Sequence, residues 1–240
     1  YAAKALGIKI DYIFHINTGT GIQLTTDWVR KRFSDKNYYE PQAGDAYEKY
    51  VMRKGFIGRG HSKAHPIAYH ILKAGPYRKA VSKLIRKGKR NRPVLLLNGA
   101  REGESHNRSL NLKDQINVDN SAKNNVWVNL IHNWSDQDCQ DFLSENKAET
   151  NPVSKMMCRS GECMCGTMQS KADRSEASVL FPEWGQWLNN LEKKVMQKFP
   201  WGWGDDIPKW WQATQEGQYD MFYKQGEPYM PMCKDCGERQ

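Results

Sequence analysis

No apolar run in the chain approaches the ~20 residues that a membrane-spanning helix requires, and no signal peptide is visible. Internal repeats and low-complexity segments are absent too, which argues against solenoid and array architectures. Without secretory features, six cysteines in C-x-C and C-x-x-C spacings do not read as a disulfide framework. A chain of 240 residues can bury a core that needs no cross-links, so its thiols are free for chemistry. The location expected is the cytoplasm. An initiating methionine is also missing: the chain opens at Tyr1, in "YAAKALG". This reads as the last turns of a helix stopped by Gly7, and an upstream segment is expected.

What is present is positive charge. A net charge of +9 favours an anionic partner, nucleotide or nucleic acid, without choosing between them. Part of it lies in "YRKAVSKLIRKGKRNR", residues 77–92, whose plainest reading is a solvated helix face followed by a basic loop.

"IKIDYIFHI" (8–16), "RPVLLLNG" (92–99) and "NVWVNLI" (125–131) are rich in β-formers and nearly unbroken, as strands buried in a parallel sheet are. Helical patterns lie between them. "TTDWVRKRFSD" starts on a threonine cap, "DAYEKYVMRKG" ends at Gly55, and "YHILKAG" ends at Gly75. "SDQDCQDFLSENK" opens with Ser135 and Asp138 in capping-box spacing. Alternation of this kind predicts an α/β fold with a doubly wound parallel sheet. The nucleotide-binding α/β domain is expected over 1–150. A C-terminal subdomain over 151–240 is rich in Cys and Trp, with a helix in "EWGQWLNNLEKKVMQKF".

Ligands of such sheets sit at the carboxyl ends of the strands, and two strands run directly into glycine-containing polar loops. In "HINTGTGI", Asn17, Thr18 and Gly19 offer donors, acceptors and an approachable backbone; an ordinary turn is the alternative. In "NGAREGESHNRS", Gly99 ends the strand and Arg101, Glu104, Ser105 and Arg108 follow. Arginine forks bind phosphate or sulfate oxygens, and a nearby glutamate orients them; a surface ion-pair cluster is the alternative. His65, Tyr69 and Lys73 are four apart and share a face if a helix begins near Pro66. His65 is then a candidate phosphate ligand or proton shuttle, with an exposed helix start as the plainer alternative. Arg78 follows on the same segment.

Cys139 falls in a core stripe with Phe142 and Leu143. The other five thiols behave differently. "ECMCG" and "MCKDCG" pair Cys163 with Cys165 and Cys233 with Cys236, four thiolates in all. That number closes a tetrahedral Zn²⁺ site or holds a [4Fe-4S] cluster, and Cys158 is a possible further ligand.

The order "HINTGTGI", "HPIAYHILKAGPYRK", "NGAREGESHNR", "LIHNWSDQDCQDFL", "NPVSKMMCRSGECMCG" resembles the phosphoadenosine-phosphosulfate (PAPS) reductase-like branch of the adenine nucleotide α-hydrolase, or ATP pyrophosphatase, superfamily. The resemblance covers almost the whole chain, but the family's SGGxDS phosphate loop is not in it, and Asn17 stands where the family often has Asp. It implies that Asn17, Thr18 and Gly19 touch adenine or ribose, that Arg101 and Arg108 hold phosphate oxygens with Lys73 and Arg78 behind them, and that Glu104 and Ser105 orient these groups.

Two chemistries are implied. In one, ATP with Mg²⁺ adenylates a substrate and releases pyrophosphate so that sulfur can displace AMP. The texture of "GECMCG" with a distant C-x-x-C is closest to DNA phosphorothioation enzymes of this kind, with DNA or another anion as substrate and a cysteine desulfurase as sulfur donor. In the other, a C-terminal cysteine reduces PAPS or its analogue APS. "KDCGERQ" echoes that branch's E-C-G-[IL]-H motif at Cys236 and Gly237 but lacks its Glu and His, and the APS-type Cys-Cys doublet is missing. These departures make the ATP-dependent branch the main expectation and sulfonucleotide reduction the alternative. A non-catalytic nucleic-acid adaptor is a third possibility.

Overall fold

A computed structural model describes residues 2–34, 37–59, 64–87, 93–104, 114–118 and 125–215. In chain order the elements are α1 (Ala2–Ala5), β1 (Ile13–Phe14), α2 (Gln23–Phe33), β2 (Tyr38–Tyr39), α3 (Ala46–Lys54) and α4 (Ala64–Tyr69). There follow a π-helical turn (His70–Ala74), α5 (Gly75–Ala80), a second π-helical turn (Val81–Arg86), β3 (Val94–Asn98) and a 3₁₀ turn (Glu102–Glu104). The chain continues through β4 (Ile116–Val118), β5 (Asn125–Asn129), α6 (Asp136–Glu145), α7 (Pro152–Met157), α8 (Lys171–Leu180), α9 (Pro182–Val195) and α10 (Lys209–Gln215).

Two compact units result, neither of them one unbroken stretch: residues 1–43 with 72–162, and residues 44–71 with 163–240. The division therefore differs from a single cut near residue 150. Residues 44–71 belong with the C-terminal part, and 151–162 with the first unit.

The five strands among the described residues all lie in the first unit. β1 pairs with β2 in parallel, Ile13 opposite Tyr38. β3 pairs with β5 in parallel along its whole length, and β4 lies antiparallel on the other side of β5. The parallel pairings expected of an α/β fold are present. Among the described residues they form a two-stranded and a three-stranded sheet, not one doubly wound sheet, and β4 runs against the parallel direction. β1 is also far shorter than the "IKIDYIFHI" pattern, because Ile8 and Ile10 are not sheet-bonded and Ile10 is exposed.

Local signals explain several boundaries. Gly7 (φ 66°) ends α1, and Ser135 and Asp138 form a reciprocal capping box on α6. α2 departs from expectation: Ile22 precedes it with no side-chain cap. Thr25 instead donates its hydroxyl to the Ser160 carbonyl at 2.6 Å. Tertiary bonding has taken the threonine that local spacing assigned to a cap. Gly75 does not end a helix either, since the chain turns through the π segment into α5 with Pro76 in its first turn. The Cys139 stripe is only half-buried, and no residue of α6 is fully buried.

The second unit is built around tryptophan. Trp184, Leu188, Leu191 and Val195 line one face of α9 at helical spacing and are buried. Trp203 is fully buried, donating its indole N–H to the Met164 carbonyl at 3.1 Å, and Trp201 donates to Phe56 O at 2.8 Å. Gly55 (φ 81°) ends α3 against the Trp201 ring, where a β carbon would clash with the indole. The Trp201 and Trp203 indoles thus bring their polar edges to backbone acceptors.

Candidate nucleotide site

The first unit carries a polar cluster at the carboxyl end of β1. Past Phe14 the chain stays in line with the segment after β2. His15 N–H donates to Tyr39 O at 3.1 Å, Asn17 N–H to Pro41 O at 2.9 Å, and Ala43 N–H to Asn17 O at 2.9 Å. Asn17 and Gln42 form an isolated parallel bridge. The loop "NTGTG" therefore leaves from a fixed platform, at the sheet end where ligands of α/β folds gather.

Beneath the loop lies a charged anchor. Arg30 of α2 donates to both oxygens of the Glu40 carboxylate, Nε to Oε2 at 2.7 Å and Nη2 to Oε1 at 2.6 Å, a bidentate charge-assisted pair. Tyr38 Oη donates to Glu40 Oε2 at 2.9 Å, and Asn17 Nδ2 to Oε1 at 2.9 Å. The Arg30 bonds hold the Glu40 carboxyl down at about 2, against burial and with help from Asn17 and Tyr38. Burial first, and then the bond to Glu40, pushes the Tyr38 phenol up. Asn17 Oδ1 in turn accepts the Gly19 N–H at 3.0 Å, with Gly19 at φ 71°. Both ends of the Asn17 amide are thus occupied within the protein. Its side chain shapes the loop, and the approachable groups are the loop's backbone.

A second loop, 158–162 ("CRSGE"), is sewn onto the first. Thr18 Oγ1 donates to Glu162 O at 2.8 Å and lies 3.1 Å from Thr20 Oγ1. Ile22 N–H donates to Gly161 O at 2.7 Å, and Asn151, the cap of α7, donates to Ser160 O at 2.9 Å and to Thr25 Oγ1 at 3.2 Å. No β carbon fits at Gly21, where it would clash with the Glu162 carbonyl oxygen and come within 2.8 Å of Gly161 O. Gly161 (φ 62°) has the same constraint from Val153 and Ile22.

The Glu162 side chain faces two nitrogen groups. His15 Nε2 is 3.4 Å from Oε1 and Lys73 Nζ is 3.4 Å from Oε2. His15 is 8% exposed, whereas Lys73 and Glu162 side chains are each 33% exposed. Although burial works against it, the His15 contact and the Lys73 charge hold the Glu162 carboxyl below its ordinary value.

This arrangement, a strand-end loop with fixed backbone and basic groups beside it, is what nucleotide binding at a parallel sheet needs. The phosphoadenosine phosphosulfate reductase domain model matches residues 3–168. The chain belongs to the PAPS reductase family. It is a PAPS reductase-like enzyme by that membership, and the matched residues include both loops of the cluster. No curated protein matches the chain. Among solved structures it is similar to the phosphoadenylyl-sulfate (PAPS) reductase of Candida auris in its phosphate complex, at 16% identity and a TM-score of 0.45 over 64% of this chain and 70% of that one.

Within this PAPS reductase domain, Asn17, Thr18, Gly19 and Lys73 come together as described. Arg101 is engaged elsewhere: Nη2 donates to Asp136 Oδ1 at 2.6 Å and Nη1 to Trp134 O at 3.3 Å. That is an ion pair with the first turn of α6. Among the described residues, a β carbon at Gly99 would meet only the Ile131 side chain, at 3.8 Å. Arg78 is exposed on α5, and His65 is exposed on α4 in the second unit. Ser105 and Arg108, and the Glu104 side chain, lie outside the described residues, as do Cys233 and Cys236.

Of the remaining thiols, Cys158 is exposed at the end of α7 with φ 53°. In the second unit Cys163 is half-buried and Cys165 buried. The Cys163 hydrogen bond, then bonds from Thr167, bring the Cys165 thiol down to about 6 despite burial. Among the described residues no group of three or more His, Cys, Asp or Glu side chains is placed to hold a metal. His15, Arg30, Tyr38, Glu40 and Glu162 were not singled out from sequence. The available signal was "YYEP" itself, two β-forming tyrosines followed by a glutamate and a proline that ends the run.

Proposed function

We infer that the chain is a sulfonucleotide reductase-type enzyme, binding PAPS or APS by its adenine nucleotide part at the "NTGTG" loop. The observation that carries this is the family match over residues 3–168, which takes in the loop and the basic groups beside it. It supports sulfonucleotide reduction above the ATP-dependent expectation. In this reading the backbone of Thr18 and Gly19 receives the nucleotide, and Asn17 and Glu40 keep the loop in shape. Lys73 and His15 face the anionic end.

The nucleophile is assigned to Cys236 on sequence position alone. Its thiolate attacks the sulfonate sulfur, an S–S bond forms and the S–O bond to phosphate breaks. The nucleotide leaves with the electron pair of that bond. A dithiol such as thioredoxin then displaces sulfite from the enzyme thiosulfonate and ends as a disulfide.

A second reading is ATP-driven adenylation with Mg²⁺, feeding sulfur from a cysteine desulfurase into DNA or another anionic acceptor. What favours it is the C-terminal sequence, where "KDCGERQ" lacks the Glu and His of the reductase motif.

The four-Cys metal site is likewise a proposal. Cys163 and Cys165 are adjoining thiols with one already drawn toward thiolate, which fits half a zinc or iron–sulfur site. Cys233 and Cys236 would supply the rest. Cys236 has one role or the other.

The test is turnover by full-length protein. Release of sulfite from PAPS or APS with a dithiol, abolished by Cys236→Ser with metal content unchanged, is the expected result. Pyrophosphate release from ATP with no sulfite from either sulfonucleotide would overturn it in favour of the second reading.

A further inference from the structure

Two carboxylates serve the strand-end cluster, and they are held very differently. Glu40 is gripped at 2.6 and 2.7 Å by one arginine, at distances typical of charge-assisted bonds, and its side chain is 10% exposed. Glu162 meets Lys73 and His15 at 3.4 Å each, and its side chain is 33% exposed. The His15 contact falls short of a hydrogen bond, leaving Nε2 of this buried ring with no hydrogen-bond partner among the described residues. A nitrogen in that state, aimed at a loosely held carboxylate, marks a place where a better acceptor would be welcome.

The backbone of Glu162 is fixed where its side chain is not. Its carbonyl takes the Thr18 hydroxyl, and its loop is bonded through Gly161 and Ser160. The carboxylate can therefore swing out toward solvent without disturbing the loop on which the strand-end site depends.

We propose that Glu162 is an internal stand-in for the substrate's anionic end: it occupies the Lys73–His15 site, and a tetrahedral oxyanion, the sulfate or phosphate end of an adenine nucleotide, displaces it. Lys73 then donates to the incoming oxyanion, and the His15 ring, whose Nδ1 faces the Tyr38 hydroxyl at 3.3 Å, supplies a second donor at Nε2 in its doubly protonated form. The displaced carboxylate remains close by. Its repulsion selects for a ligand whose charge exceeds its own, favouring a dianion over a monoanion of the same shape. The inference rests on the strand-end loop being the nucleotide site, and it adds Glu162 as the residue that sets the threshold for entry.

The experiment uses the full chain and inorganic sulfate as probe, followed by calorimetry, alongside sulfite release from PAPS. Glu162→Gln removes the resident charge and keeps the shape. Sulfate should bind at least about tenfold more tightly, since a like charge beside the anion is gone. Adding Lys73→Met should abolish the gain. Equal or weaker binding in Glu162→Gln would overturn the proposal and make Glu162 a residue that orients the two basic groups. Should that variant fail to fold, Glu162→Asp, which draws the carboxylate back by one methylene, must also tighten sulfate binding or the idea fails. Tighter sulfate binding without sulfite release would overturn the reductase reading and leave this one standing. Sulfite release with unchanged sulfate affinity would do the reverse.

Discussion

Thr18 donates its hydroxyl to the main-chain oxygen of Glu162 at 2.8 Å, across 144 positions of sequence. One hydroxyl thus ties the loop after the first strand to the loop ahead of the paired cysteines. Thr18 is 1% exposed, so Thr18→Val would leave a carbonyl without its partner in a buried place. A loss of about 1–3 kcal/mol is expected, measured by urea unfolding. Nucleotide binding should weaken with it, because the loop loses its support.

Gly21→Ala should cost more than the usual exchange of glycine for alanine. The added carbon meets backbone on two sides, the Glu162 and Gly161 carbonyls, and backbone cannot rotate away as a side chain can. A fall in stability of about 1–3 kcal/mol is expected by thermal unfolding. Gly44→Ala provides the contrast, since none of the described residues lies within 4 Å of its added carbon, although its φ of 58° still adds strain.

Glu40 gives a pH signature. Its carboxyl is held at about 2 in the folded protein against an ordinary 4.5. The stability it contributes is therefore fully present above about 4.5, and it is lost as pH falls toward 2. Glu40→Gln should lower the melting temperature at pH 7, and the gap to the parent should close over that window. Parallel melting curves for the two proteins from pH 7 to pH 2.5 would count against the assignment.

Trp203→Ala should be the most damaging single change in the second unit. The indole is fully buried and edge-to-face with Trp184, ring centroids 5.9 Å apart. Truncation is expected to remove about 3–5 kcal/mol, read from denaturant unfolding. Trp210 is only half-buried, and the same change there should cost well under half as much.

The parts legible in sequence were those fixed by neighbours in the chain. Gly55 ended α3, the Ser135–Asp138 capping box started α6, and the nearly unbroken apolar runs marked β3 and β5 to within two residues at each end. The anchor of the site was not legible. Arg30, Glu40 and Asn17 belong to a helix, a strand end and a loop, and no local period links them. Thr25 shows the same limit from the other side: its sequence position suits a helix cap, yet a carbonyl 135 positions away claims its hydroxyl. Arg101 looked like a phosphate ligand because strand ends favour such roles, and the first turn of α6 supplied Asp136 instead.

The π-helical turn at His70–Ala74 has a consequence for related chains. A π turn holds one residue more than the α-helix around it, and each residue of an α-helix accounts for about 100° of rotation. Losing a single residue between 70 and 74 would restore ordinary helical winding, and because the wider turn had absorbed that residue, the helix on either side would keep close to its present facing. A relative one residue shorter at this turn therefore still presents a basic group toward the strand end, provided the residue lost is not Lys73.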